Sequence, residues 1–133
     1  MFTLTLVTPE KKLLSGVEIT EVIVPAYKGQ LDILPGHAPL MTTLSAGVLQ
    51  VFVKGESAPR KAAISWGYLQ VNPKGVSILA ETAEWAGELD RSRAEENYQK
   101  AEKRLQEAGL GPDEYALTRK RALKEKARLE VLQ

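Results

Sequence analysis

The side chains with the clearest capacity for chemistry are basic ones near the carboxyl end of the chain. Between residues 119 and 128 six cations stand against one acid, Glu125; the cations are Arg119, Lys120, Arg121, Lys124, Lys126 and Arg128. Such a group suits phosphate, nucleic acid or an acidic protein surface. A solvated helix face is the alternative interpretation. Nucleic acid is the less favoured ligand, because no recognised binding motif accompanies the basic group and the net charge is only +1.

Catalytic chemistry is poorly represented in the sequence. Cysteine is absent, and His37 is the one histidine, so thiol catalysis, cysteine-based zinc sites and histidine-rich metal sites are excluded. No nucleophile and base can be paired from one histidine and scattered carboxylates. The chain also lacks a Walker-type glycine and lysine loop. We therefore predict a chain that is not an enzyme, that holds no metal and that requires no cofactor.

Composition divides the chain near Gly87 into two differently built segments. Residues 1–87 carry 7 basic and 7 acidic side chains, whereas residues 88–133 carry 11 and 10. Most glycines and prolines lie in the first segment. This change predicts two domains, 1–87 and 88–133.

The first segment has the pattern of short strands. Alternating apolar residues open the chain at Phe2, Leu4 and Leu6, and further short apolar runs follow, each bounded by Gly, Pro, Asn or Ser. These runs are Leu13–Val17, Ile19–Val24, Gln30–Leu34, Val48–Val53, Lys61–Ser65, Tyr68–Val71 and Val76–Glu81. Eight to ten strands at this spacing leave no room for crossover helices and predict an antiparallel β sandwich.

Aromatic and branched residues of these strands supply the predicted core. We expect Tyr68, Leu69, Val71, Ile78 and Leu79 to be buried. Trp66 and Trp85 are expected in the core or at a junction between domains.

The segment Lys28–Val51, KGQLDILPGHAPLMTTLSAGVLQV, is the most unusual part of this half. Pro35, Gly36 and Pro39 predict a rigid turn, because proline fixes φ and glycine relaxes it. The turn presents His37 and its neighbours at its edge. Two interpretations stay open here: a tight hairpin with a hydrogen-bonded histidine, and a loop that docks on a partner protein.

The second segment predicts an antiparallel pair of helices. Glu88–Ala108 contains no glycine or proline, Asp90 suits its N-cap, and Leu89 with Ala94 has the spacing of a hydrophobic staple. Its apolar stripe is Ala94, Tyr98, Ala101, Leu105 and Ala108. The break GLGPD precedes a second helix to about Leu132, whose predicted apolar side is Ala116, Leu123, Ala127 and Val131. The fold class is therefore α+β.

Alanine dominates the predicted contact between the two helices. Each alanine buries three carbons fewer than leucine, which at about 0.8 kcal/mol per CH₂ gives up roughly 2 kcal/mol per position. Isolated helices of about 20 residues are themselves marginal in water. We therefore expect a hairpin that can open when another surface competes for it.

With these elements in place, the chain resembles the ε subunit of the bacterial F-type ATP synthase over its whole length. The motifs that carry the resemblance are GQLDILPGHAPLMTTLSAGVLQV from Gly29, WGYLQV from Trp66 and LDRSRA from Leu89. It implies a non-catalytic central-stalk subunit whose sandwich binds the γ subunit and the membrane rotor ring. It also implies a hairpin that either folds on the sandwich or extends along γ, where its basic residues meet acidic segments of the catalytic subunits and resist ATP hydrolysis.

The resemblance further implies positions for the contacts. Residues assigned to partner contact are Lys28, Gln30, Asp32, His37, Leu40, Met41, Arg119 and Arg121. The protein is expected to be peripheral, at the cytoplasmic face of the bacterial inner membrane. The amino terminus has neither the basic start nor the apolar stretch of a signal peptide, which agrees with that expectation.

Some members of the family bind ATP as a regulatory ligand through an I/L-D-x-x-R-A motif, which LDRSRA matches. Carried over by position, the nucleoside ligands are Glu84, Leu89, Asp90, Arg93 and Ala94, and the phosphate ligands are Lys100, Lys124 and Arg128. Lys100 stands where the family has an arginine, and a lysine offers a point charge in place of a bidentate fork.

Overall fold

The computed structural model describes all residues, 1–133, as seven strands followed by two helices. The strands are β1 (Thr3–Val7), β2 (Lys12–Ala26), β3 (Gly29–Ile33), β4 (Leu40–Leu44), β5 (Gly47–Val53), β6 (Arg60–Asn72) and β7 (Gly75–Trp85). A 3₁₀ turn (Ala86–Glu88) leads into α1 (Arg91–Leu105) and α2 (Pro112–Val131). The predicted class, a β sandwich followed by a helical hairpin, is confirmed.

The prediction of eight to ten short strands is wrong, because two pairs of predicted runs are single long strands. Leu13–Val17 and Ile19–Val24 both lie in β2, which pairs with β1 near its start and with β3 and β5 near its end. Lys61–Ser65 and Tyr68–Val71 both lie in β6. One long strand that serves several neighbours bends, and its bends interrupt the alternation of polar and apolar residues.

Trp66 and Gly67 are the irregular point of β6. The backbone of Trp66 has φ +33°, a value rarely adopted by a bulky residue. Pairing with β7 nevertheless keeps one register on both sides, with Ser65 opposite Thr82 and Gly67 opposite Ala80. The strand therefore continues through a residue pair that the sequence pattern indicated as a break.

The sheet is not purely antiparallel, contrary to the prediction. β1 runs parallel to β7, from Thr3 opposite Gly75 to Val7 opposite Leu79. Its other edge is antiparallel to β2. β1 thus lies between β2 and β7 in the sheet, and it brings the first and last strands of the sandwich side by side.

β4 (Leu40–Leu44) was not predicted, since it lies inside the segment interpreted as a loop; it pairs antiparallel with β6. The predicted turn occupies the residues before it. There the His37 N–H donates to the Leu34 carbonyl at 3.0 Å, its Nδ1 donates to the Ala38 carbonyl at 2.7 Å, and Gly36 has φ +89°. The hydrogen-bonded turn is confirmed, and the docking role of the loop stays a prediction.

The core of the sandwich contains Leu69, Val71 and Ile78, as predicted, together with residues from all seven strands. Tyr68 and Leu79 were wrongly placed there: they are 61% and 47% exposed. They lie opposite each other on β6 and β7 and alternate with the buried residues, so they point outward. Trp85 packs against the core.

Asp90 caps α1 as predicted, accepting the Arg93 N–H at 3.2 Å, but the helix is shorter than Glu88–Ala108. Its buried residues are Ala94 and Ala101, and Ala108 lies exposed beyond the helix end. The predicted alanine contact is therefore present in this helix.

The apolar side predicted for α2 is half wrong. Ala127 and Val131 are buried, whereas Ala116 and Leu123 are exposed. The buried positions also include Thr118, Ala122 and Glu125. α2 packs against two surfaces, α1 on one side and β5 and β6 on another, so a single apolar stripe does not describe it.

Contacts at both ends show that the helices are antiparallel and folded against the sandwich. Arg104 contacts Glu114 at 2.5 Å beside the break, and Arg91 donates to the carbonyl of Leu132 at the other end. On the sandwich side, Ala127 and Val131 of α2 pack on Ala63. The Lys120 Nζ lies 4.6 Å from the centre of the Trp66 ring, which adds a cation–π contact between α2 and β6.

Candidate functional site

Two adjoining cavities lie beside the hairpin, the smaller where α1 and α2 meet the end of β7 and the larger between the two helices. The smaller, about 250 Å³, is lined by six residues assigned to the nucleotide, namely Glu84, Leu89, Asp90, Arg93, Ala94 and Arg128. The larger, about 700 Å³, is lined by Lys100, Lys124 and again Arg128. All eight assigned residues thus come together, although they lie between residues 84 and 128 in the sequence. Binding of ATP there stays a prediction.

Local structure explains how the motif residues are placed. Asp90 is the N-cap of α1, and its carboxylate accepts the main-chain N–H of Arg93, which lies in the first turn. The cap therefore fixes the Asp90 side chain and the backbone from which the Arg93 side chain projects. Leu89, just before the cap, packs on the cluster of Ala63, Ala127 and Val131. The hairpin must be docked on the sandwich for these residues to line one cavity.

Arg128 carries the main electrostatic contact of the site. Its Nε donates to Glu84 on β7 at 2.8 Å, and its Nη1 donates to Glu125 one turn earlier on α2. Partial burial of the guanidinium disfavours its charge, but the hydrogen bonds and charges of the two carboxylates outweigh burial and raise the pKa of Arg128. The guanidinium therefore ties the hairpin to the sandwich.

Several residues that line the two cavities escaped the sequence interpretation, and two of them are shared by both cavities. Asn97 and Glu125 line both cavities, as Arg128 does. Glu125 is buried, and its Oε2 accepts no hydrogen bond from the protein. The one available signal was that Glu125 is the single acid within the basic group and lies three residues before Arg128.

The basic group of α2 does not form one surface. Lys120 covers Trp66 and Arg128 is ion-paired, while Arg121 and Lys124 line the larger cavity. Arg119 is exposed and lines neither cavity. This division gives no support to the alternative of a nucleic-acid adaptor, which requires a continuous basic face.

The residues assigned to partner contact in the sandwich lie in two turns and two strands. Lys28 is in the turn between β2 and β3, Gln30 and Asp32 are exposed on β3, and His37 is in the turn before β4. Leu40 and Met41 begin β4. Met41 is 69% exposed, and the exposed Tyr68 and Leu79 lie on the neighbouring strands β6 and β7. We call Met41, Tyr68 and Leu79 the apolar patch.

Glu21 and Asp32 place two carboxylates together near the assigned contact residues. Asp32 lies opposite Ile23, so it is a diagonal neighbour of Glu21 on the same face. A hydrogen bond with Asp32, with smaller contributions from desolvation and from the charge of Asp32, raises the pKa of Glu21 above 4.5. The neighbouring carboxylate therefore favours the protonated form of Glu21 in the folded state.

This pair predicts a pH dependence of stability. Because the folded pKa of Glu21 is raised, its contribution to stability is present below pH 4.5 and is lost as pH rises through the folded value. When the pH is raised from 4 to 7, the free energy of unfolding measured in urea should fall less for Glu21→Gln than for the unsubstituted chain. Glu81→Gln, an exposed carboxylate on β7 without an ion pair, should retain the original pH dependence. Identical pH profiles for both variants would contradict the pairing.

The comparisons with known proteins agree with the architecture. Residues 1–86 match the family described as "ATP synthase, Delta/Epsilon chain, beta-sandwich domain". The ATP synthase epsilon chain of Bdellovibrio bacteriovorus is 48% identical over 113 residues, covering 85% of this chain and 81% of that one. The chain belongs to the ATP synthase epsilon chain family. Epsilon chains are ATP synthase subunits distinct from the catalytic one, so the predictions of family and of a non-catalytic role are confirmed.

Other relatives extend the family match. The epsilon chain of Koribacter versatilis is 43% identical over 108 residues, covering 81% of this chain and 74% of its own. A chain in the Euglena gracilis mitochondrial ATP synthase superposes with a TM-score of 0.85 at 21% identity, covering 97% of this chain and 79% of that one. A chain in the Tetrahymena thermophila mitochondrial ATP synthase superposes with a TM-score of 0.66 at 15% identity, covering 99% of this chain and 96% of that one. At these identities the two structures show a shared fold.

Neither helix of this epsilon chain is long and apolar enough to cross a membrane.

Proposed function

We propose that this epsilon chain is a central-stalk subunit that binds the γ subunit and the membrane rotor ring through its sandwich. Family membership supports the assembly, and the two structural neighbours come from ATP synthases solved with their c-rings, one of them described as central stalk and c-ring. The apolar patch on β4, β6 and β7 supplies an exposed surface of the kind that protein interfaces cover. The protein would be peripheral, on the cytoplasmic face of the bacterial inner membrane. Failure to co-purify with γ would overturn this assignment.

The hairpin supplies the regulatory part of the proposal. Its helices contact each other mainly through alanines and dock on the sandwich through a small cluster, one cation on an aromatic ring and one ion-paired arginine. Such a contact is weak enough to exchange for another surface. In the extended state Arg119 and Arg121 would meet acidic segments of the catalytic subunits and resist hydrolysis.

The observation that supports ATP as a regulatory ligand is that all eight assigned residues line two adjoining cavities of the folded hairpin. Because those residues come from β7, α1 and α2, a nucleotide held by all of them binds the folded state alone. At a concentration one hundred times the dissociation constant, such a ligand stabilises that state by about 2.7 kcal/mol. ATP would therefore shift the hairpin toward the folded, non-inhibiting position.

We predict that ATP perturbs the backbone amides around Asp90 and Arg93 when the full chain is titrated by NMR. Arg93→Ala removes a cation from the wall of the smaller cavity and should weaken ATP binding at least tenfold, about 1.4 kcal/mol. Arg119→Ala removes an equal charge outside both cavities and should change the affinity little. No perturbation at millimolar ATP, or equal losses in both variants, would rule out the site.

A further inference from the structure

Glu125 is an acid in a place where the proposed site calls for cations. Its side chain is 10% exposed, and it lines both the smaller cavity and the larger one, which also holds Lys100 and Lys124. One carboxylate oxygen contacts Arg128, and the other is buried without a hydrogen bond from the protein. A buried carboxylate with unused acceptor capacity is costly to maintain, so its position requires an explanation.

Arg128 is the residue of the site that Glu125 contacts. The guanidinium is already neutralised by two carboxylates, Glu84 and Glu125. Glu84 lines only the smaller cavity. Glu125 lines both, including the larger cavity where the assigned phosphate ligands lie. A phosphate that approaches Arg128 from the larger cavity therefore meets the charge of Glu125 beside it. It must either displace that carboxylate or accept a like charge at close range.

Resting on the proposed nucleotide site, we propose that Glu125 sets the affinity of that site by competing with the nucleotide's phosphates for Arg128. The contact between Glu125 and Arg128 is the one that a phosphate must exchange. The competition acts on the phosphates and leaves the nucleoside contacts of Glu84, Leu89 and Asp90 unaffected. Glu125 is in this sense an affinity-determining residue and not a ligand.

The test is calorimetric titration of the full chain with ATP and, separately, with adenosine. Glu125→Gln keeps the size of the side chain and an acceptor for Arg128 but removes the competing charge. It should lower the dissociation constant for ATP at least tenfold and leave that for adenosine unchanged. A tenfold change equals about 1.4 kcal/mol, close to the lower limit for a hydrogen bond to a charged group. Glu125→Ala, which removes the contact entirely, should act in the same direction.

Glu130→Gln is the matched control, since Glu130 is exposed on the same helix and lines neither cavity. An equal gain in ATP affinity from Glu130→Gln would mean that net charge alone is responsible and would overturn the inference. Weaker ATP binding by Glu125→Gln would show that Glu125 positions Arg128 and would likewise overturn it, while leaving the nucleotide site intact. Absence of ATP binding in every variant would refute the site and the inference together.

Discussion

Gly67→Ala is expected to destabilise the sandwich by about 3 kcal/mol or more, at or beyond the upper part of the range for overpacked positions. A Cβ at Gly67 would lie 1.9 Å from the Leu79 carbonyl oxygen and 2.9 Å from the Ala80 Cα, both of them backbone atoms. The two strands keep one register on either side of this point, so neither backbone can retreat without breaking ladder hydrogen bonds. The site therefore has no flexible group that could absorb the added methyl.

Urea unfolding of the full chain measures this effect. Gly87→Ala is the matched control, because a Cβ at Gly87 meets nothing within 4 Å. Its free energy of unfolding should change by no more than about 0.5 kcal/mol. A Gly67→Ala protein with an unchanged midpoint would contradict the close approach of β6 and β7. Since Trp66 and Tyr68 flank this glycine, the same change should also disturb the apolar patch and the contact with Lys120.

Arg128→Ala is expected to release the hairpin from the sandwich, at a cost of about 2 kcal/mol to docking. Removing one partner of a buried ion pair costs about 3 to 5 kcal/mol, and the partial exposure of this group lowers that value. The carboxylates of Glu84 and Glu125 would be left facing each other without a cation. Because the remaining docking contacts are few, the helices should lose protection while the sandwich keeps its own.

Amide hydrogen exchange distinguishes the two parts of the chain. Arg119→Ala, which removes an exposed cation of α2 without an ion pair, should leave the protection of both helices unchanged. Adding Glu125→Gln to Arg128→Ala should restore part of the loss, because the double variant no longer buries an unpaired charge. Full protection of the helices in Arg128→Ala would show that the alanine contacts alone suffice to dock the hairpin.

The parts of the fold that could be predicted from the sequence are those set by local chemistry. Asp90 begins α1 because its side chain accepts a main-chain N–H. The break at GLGPD separates the helices because Gly109 adopts φ +89° after the first helix and Pro112 suits the first turn of the second. The turn around Gly36 and His37 follows from the same preferences. Each of these features depends on a few neighbouring residues.

The features that escaped prediction depend on contacts between distant residues. Tyr68 and Leu79 are as apolar as core residues, and only the register of β6 and β7 shows that both point outward. Leu123 is exposed and Glu125 is buried because α2 packs on two surfaces, which no single periodicity encodes. The candidate site shows the same division, since its nucleotide residues came from a motif whereas Glu125 became evident only from its burial between two cavities.

The parallel pairing of β1 with β7 has a consequence for synthesis of the protein on the ribosome. β1 leaves the exit tunnel first, yet one of its edges stays open until residues 75–79 have been translated. Contacts this distant in sequence slow folding, and an unpaired strand edge exposes a nascent chain to misassociation. The sandwich can close only when most of the chain has been made, and the hairpin emerges last onto a platform that is already complete.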